Sequence, residues 1–267
     1  MKSGTCKLCA TVRDLQDSHL IPAAVYKTLN EPAATNPNPV LIKSGTSFQT
    51  SKQSKMRLLC SACEQSLNAH GERQIIPLLA KRDLSSPLYE LVAAGKPELE
   101  IDSITAYAAA QIAGFPTAAL AHFAMGIFWK ASIHSWHAAG GDPLIELGPY
   151  GEPLREYVHA PEKSPFPANM ALIAIVLPSP KIPLLLGSPG RGLNGDGYRN
   201  FRFYVPGIQF VLSVGKTIDQ EVCFVNNQLH PIWVNDIGEK VNEIPRRMYF
   251  RGKAIKDAER KIWGKPR

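Results

Sequence analysis

The chain has 267 residues, 45% of them hydrophobic and 20% charged, with a formal net charge of +7. That is ordinary globular composition: it supplies enough apolar surface for one large core or two modest ones, and the sequence shows no internal repeat and no long low-complexity tract. The charge is unevenly placed, with 11 Lys/Arg against 5 Asp/Glu in residues 1–82, 10 against 16 in residues 83–245, and 9 against 2 in residues 246–267. Two basic ends around an acidic middle suit a chain whose ends meet a polyanion, although solvated charged faces produce the same count. Residues 1–9 lack the apolar run of a signal peptide, so the expected compartment is the cytoplasm.

In chain order, residues 5–12 contain Cys6 and Cys9 and fit a metal-binding knuckle on a hairpin. Residues 15–21 read as a strand running into Pro22, and residues 23–29 as a short helix with that proline near its first position. Residues 31–55 are rich in Pro, Asn, Ser, Thr and Lys and read as a long loop. A short strand over 56–59 precedes a helix that starts at Cys60 and Cys63 and runs through Leu67.

Residues 101–139 are rich in alanine and predict helix, and the run 112–129 is nearly all apolar. Pro116, His122 and the small bulk of the alanines argue for a buried helix pair, broken near residues 114–116, over a membrane span. Residues 171–177, 201–205, 208–214 and 221–225 carry strand signals bounded by Pro or Gly. The tail from Arg246 places Ile255, Ala258 and Ile262 on one face between basic residues, the pattern of an amphipathic basic helix.

Cys6-Lys7-Leu8-Cys9 and Cys60-Ser61-Ala62-Cys63 supply soft ligands for a closed, tetrahedral, structural Zn²⁺ site. In a reducing compartment two C-x-x-C pairs favour metal ligation over disulfides. One pair on a knuckle and the other at a helix start is the treble-clef arrangement. Cys223 lies in an apolar run and reads as a buried thiol.

Between the pairs stands Asp17-Ser18-His19-Leu20-Ile21-Pro22. With the flanking cysteines and the Leu59-Cys60 helix start, this run resembles the HNH, or ββα-metal, endonuclease family over roughly residues 4–75. The resemblance implies that His19 is the general base that activates water, a role suited to an imidazole. The family places metal ligands just before the base and in the helix. Here Ser18 takes the first position, with Asp17 one further back, and Glu64 takes the second. The family's central Asn would fall within Gln53-Ser54-Lys55, where this chain has no Asn. Glu64, with Asp17, is then the expected oxygen ligand set for a catalytic Mg²⁺ or Mn²⁺. A looser resemblance covers bacterial proteins with a Ser-His-Ile-Ile-Pro run and a Leu-Leu-Cys-x-x-Cys-Glu run, in which Glu72 and the segment Phe128-Trp129-Lys130-Ala131-Ser132 have counterparts.

The expected fold class is therefore α+β. A treble-clef, HNH-like zinc module over residues 1–82 precedes a helical plus β-rich domain, 83–267, that ends in a basic helix. The expected function is metal-dependent hydrolysis of nucleic-acid phosphodiester bonds, DNA before RNA, restrained by the C-terminal region. Lys52, Lys55 and Arg57 would steer the backbone without reading sequence. The alternative is a non-catalytic nucleic-acid-binding or scaffold protein with the same module. No membrane partner is expected, and an oligomer is compatible with the sequence. Gly190-Arg191-Gly192-Leu193-Asn194-Gly195 matches a dinucleotide fingerprint, but a strand is expected after it where that motif needs a helix. His134 and His137 lack a third ligand. Phe128, Trp129 and Trp136 read as core, and His70 and Glu72 either as groups that support the site residues or as polar helix-end residues.

Overall fold

The computed structural model describes residues 3–29, 40–43, 46–49, 53–83, 85–101, 104–136, 144–178, 185–192, 197–216, 218 and 231–235. Lys52, His137, the strand expected over 221–225 and the basic tail from Arg246 lie outside the described residues.

β1 (Ser3–Thr5) and β2 (Val12–His19) form an antiparallel hairpin whose tip is the first cysteine pair. α1 (Ala23–Lys27) follows, capped by Pro22 at φ −50°. β3 (Val40–Lys43) and β4 (Thr46–Gln49) pair in a separate hairpin within the stretch expected to be loop. β5 (Lys55–Cys60) then returns antiparallel to β2 and completes a sheet ordered β1-β2-β5. The β2–β5 register shifts between Gln16, opposite Leu59, and Asp17, opposite Arg57. Leu58 is thus the extra residue of a bulge, which breaks the alternation and lets Leu58, Leu59 and Cys60 all be buried. Opposite them Ser18 is buried, and its Oγ accepts the Leu59 N–H at 3.2 Å.

α2 (Ser61–Leu67) begins directly after Cys60 and runs into a π-helical stretch, Asn68–Glu72, and then α3 (Arg73–Ile75). α4 (Pro87–Ala93) leads to β6 (Pro97–Ile101) and β7 (Ile104–Ala108). The expected helix over 101–139 is corrected here: its first part is β7, paired antiparallel with β6. Alanine's helical preference yields to sheet pairing, with Ala106 and Ala108 buried on alternate positions. One helix, α5 (Thr117–Ile133), replaces the expected broken pair. α6 (Gly151–His159), β8 (Met170–Val176), β9 (Gly187–Arg191), β10 (Tyr198–Val205), β11 (Ile208–Gly215) and β12 (Pro231–Asn235) complete the described chain.

Seven strands join in one sheet ordered β6-β7-β12-β8-β11-β10-β9. Its pairs are antiparallel except β12 with β8. β10 and β11 turn at Pro206-Gly207, where Gly207 has φ +82°, the left-handed value that a proline–glycine turn requires. Along β10 and β11 the inward residues Phe201, Phe203, Phe210 and Leu212 are buried. They meet α5: Phe128 lies edge-on to Phe203 at 4.8 Å, and Phe203 stacks on Phe210 at 5.0 Å. Burying each of these rings is worth roughly 2–3 kcal/mol.

Residues 119–131 of α5 are all buried, so the helix is apolar on nearly its whole circumference, His122 and Lys130 excepted, because it is enclosed on every side. Among the described residues no helix is long and apolar enough to cross a membrane. The first segment and the sheet share one hydrophobic cluster that reaches from Cys6 to Val234. The Ala80 N–H also donates to the Pro206 carbonyl at 3.0 Å, docking the β10–β11 turn on the chain that follows α3.

Candidate metal centre and the adjoining His19 site

The knuckle is a local structure. The Cys6 N–H donates to the Thr11 carbonyl at 2.9 Å, and the Ala10 N–H donates to the Cys6 carbonyl at 2.9 Å. Ala10 closes the turn at φ +58°, a conformation that costs a non-glycine residue about 1 kcal/mol or more. Lys7 N–H to Leu58 carbonyl, at 3.0 Å, ties the knuckle to β5. From α6, Arg155 donates to the Leu8 carbonyl while pairing with Glu152 at 2.6 Å. This places a guanidinium beside the cysteine cluster, and the sequence did not single out Arg155.

The four thiols, Cys6, Cys9, Cys60 and Cys63, are free, and their sulfurs all lie within 4.8 Å of one another. The Cys9 and Cys60 sulfurs are 4.0 Å apart, twice the length of a disulfide and close to the ~3.8 Å edge of a tetrahedron with Zn–S bonds of about 2.3 Å. The Cys60 N–H points at the Cys6 sulfur at 3.4 Å, a donor that stabilises a thiolate. This donor set can hold a structural zinc ion. Burial raises the Cys9 thiol, but hydrogen bonds from the Thr11 hydroxyl and backbone and from neighbouring thiols outweigh it and bring it to about 6. Burial and the neighbouring thiols push Cys63 far up.

His19 is the last residue of β2 and half-buried. Burial lowers its pKa, and the Lys130 and Lys55 charges lower it further, while Glu64 and Asp17 oppose them. The neutral imidazole is thus the form present at pH 7. Glu64, in the first turn of α2, has an Oε1 shielded from solvent with no hydrogen-bond partner. Its carboxyl acts on both His19 and Glu72. Glu72 is raised by burial, with Glu64 adding to the rise and Lys130 opposing it. Lys130 is 2% exposed; its Nζ donates to the His19 carbonyl at 2.8 Å and lies 4.0 Å from Glu72 Oε1.

The structure thus brings His19, Glu64, Glu72 and Lys130 into one neighbourhood and turns Asp17 elsewhere. Asp17 is exposed and pairs with Arg57 at 3.4 Å and with Lys55 at 4.0 Å. Among the described residues, the four cysteines are the one group of three or more His, Cys, Asp or Glu side chains whose ligand atoms converge within 4.8 Å. Lys130 carried a sequence signal, a lone charge in an otherwise apolar run, which marks a buried cation with a partner. His70 bonds the Ser66 carbonyl at 2.9 Å and faces Glu162 at 3.7 Å. His134 bonds the Ser135 carbonyl at 3.0 Å. Phe128, Trp129 and Trp136 are buried, and a strand, β10, follows the glycine-rich run after Gly190.

No protein-family model matches the chain, and no curated protein or solved structure matches it either.

Proposed function

We propose that residues 1–82 form a treble-clef module of the HNH, ββα-metal type, with a structural Zn²⁺ on the four cysteines, and that the protein hydrolyses nucleic-acid phosphodiester bonds. What supports this reading is an order of elements: knuckle, β2, β5 and α2, with His19 at the end of β2 and Glu64 one turn into α2. The observation that carries it is the shielded, unpartnered Glu64 Oε1 next to a half-buried His19. A buried carboxylate oxygen without a donor is costly unless a cation meets it.

In this reading neutral His19 takes the proton of the attacking water. Glu64 would hold a divalent Mg²⁺ or Mn²⁺, and Asp17 would join it only by leaving Arg57; the ion supplies stabilisation for charge developing on the phosphate. Exposed Lys55 and Arg57 attract the phosphate backbone, DNA before RNA.

The second reading, a nucleic-acid-binding or scaffold protein without catalysis, is favoured by Lys130. Its ammonium already places a cation 4.0 Å from Glu72 and 2.8 Å from the His19 carbonyl. The deciding experiment adds Mg²⁺ or Mn²⁺ to the full chain with single- and double-stranded DNA and RNA. The expected result is cleavage that His19→Ala reduces about a hundred- to ten-thousand-fold with zinc content unchanged. If His19→Ala cuts as fast as the parent, or the parent cuts nothing, the catalytic reading is abandoned and the binding reading stands.

A further inference from the structure

We propose that Lys130 is a positioning residue for His19, holding the end of β2 from its buried side, and that Glu72 is the counter-charge that keeps the ammonium there. The inference rests on the reading of His19 as the general base and adds to it a residue from α5, more than a hundred positions away in the chain.

Lys130 is the one Lys, Arg, Asp or Glu of α5, and its side chain is 3% exposed; that of Glu72 is 20% exposed. Desolvating two such charges is expensive, and an apolar pair of the same volume would often give equal or greater stability. The pair therefore has a weak case as a stabilising device. It has a clear geometric consequence instead. Lys130 Nζ donates at 2.8 Å to the carbonyl of the residue that bears the imidazole. One residue on, the Leu20 N–H donates to the Ser54 carbonyl at 3.0 Å. Between them these two bonds fix the peptide on the C-terminal side of His19, the backbone from which the ring projects.

The backbone is arranged to bring Glu72 to this place. The π-helical stretch Asn68–Glu72 adds a residue to the turn and so rotates Glu72 relative to α2. Gly71 within it packs directly on α5: a Cβ there would lie 2.9 Å from the Phe123 nitrogen. Glu72 and Lys130 both line a small, partly open pocket together with Leu67, His122, Gly126 and Ile127. The Lys130 ammonium does not reach the surface to touch a nucleic acid, and Glu72 is only one-fifth exposed. Their effect falls on the orientation of His19 and leaves substrate binding alone.

The test uses the full chain carrying Glu72→Gln together with Lys130→Met, which removes both charges at nearly constant volume. Glu72→Gln alone leaves Lys130 an acceptor and serves if the double variant does not fold. With zinc content unchanged, the double variant is expected to lower kcat for Mg²⁺- or Mn²⁺-dependent cleavage about a hundredfold, the effect of a displacement of about 1 Å at a reacting group, while KM changes less than about threefold. Glu72→Gln alone is expected to lower kcat about tenfold by the same route. In either variant the His19 ring C–H signals, assigned by their loss in His19→Gln, are expected to shift in ¹H–¹³C spectra. In a parent that cleaves, an unchanged kcat overturns the proposal. A parent that cleaves nothing removes the nuclease reading alone, and the ring signals then decide: unchanged signals in a folded variant overturn the positioning role, and shifted signals support it.

Discussion

Gly71→Ala tests the contact that sets the π-helical stretch against the central helix, and two opposing effects decide its sign. Gly71 has no positive φ, so its backbone accepts alanine, and in a helix alanine is favoured over glycine by up to about 1 kcal/mol. Against this, the added methyl would lie 2.9 Å from the Phe123 nitrogen, 3.0 Å from its Cα and 3.2 Å from its Cβ. Two of those are backbone atoms of α5, enclosed on every side, so no side-chain rotation relieves the contact. Overpacking typically costs about 1–3 kcal/mol, and a backbone clash belongs in the upper half of that range. The net expectation is a loss of about 1–2 kcal/mol, or a Tm lower by about 2–4 °C for a chain of this size. Calorimetry and urea unfolding at matched zinc content measure it, with Asn68→Ala at an exposed position of the same stretch as the control. A Gly71→Ala protein as stable as the parent would show that propensity wins and that α5 is not the fixed wall described here.

Freshly purified, reduced protein should contain about one tightly held Zn²⁺ per chain by metal analysis, and Cys60→Ser should lose it and destabilise residues 1–82, because three thiolates no longer close the site. Protein without zinc would remove the metal centre. A pH dependence follows from His122, which burial, with a smaller push from His70 and against its bond to the Val158 carbonyl, lowers from 6.5 to about 4. The unfolded chain takes up this proton first as pH falls, so stability is intact above about 6.5 and is lost progressively down to about 4, by roughly 3 kcal/mol. His122→Gln should flatten that part of the curve in urea titrations at pH 7 and pH 4.5, and equal slopes for both proteins would show that His122 is not the titrating group.

The metal centre was legible because its determinants are local or nearly so. A C-x-x-C spacing specifies a knuckle by itself, and a cysteine pair after an apolar strand sets a helix start, so Cys6, Cys9, Cys60 and Cys63 come together as read. The strands β8, β10 and β11 were legible as β-rich runs bounded by Pro or Gly, and rings of β10 and β11 meet α5. β7 was not: Ala-rich residues 104–108 carry a helical preference, and only pairing with β6 and β12, partners distant in sequence for the latter, makes them a strand. The same reason governs the His19 site. Sequence placed His19 and Glu64 a strand and a helix turn apart, but Asp17 follows the local cross-strand charges of Lys55 and Arg57, which no spacing rule weighs. Lys130 reaches the His19 carbonyl only because the apolar circumference of α5 draws that helix into the centre of the molecule. Periodicity determined which segments were buried; the tertiary packing alone decided which charges were buried with them, because a charge is placed by its partners and not by its neighbours in the chain.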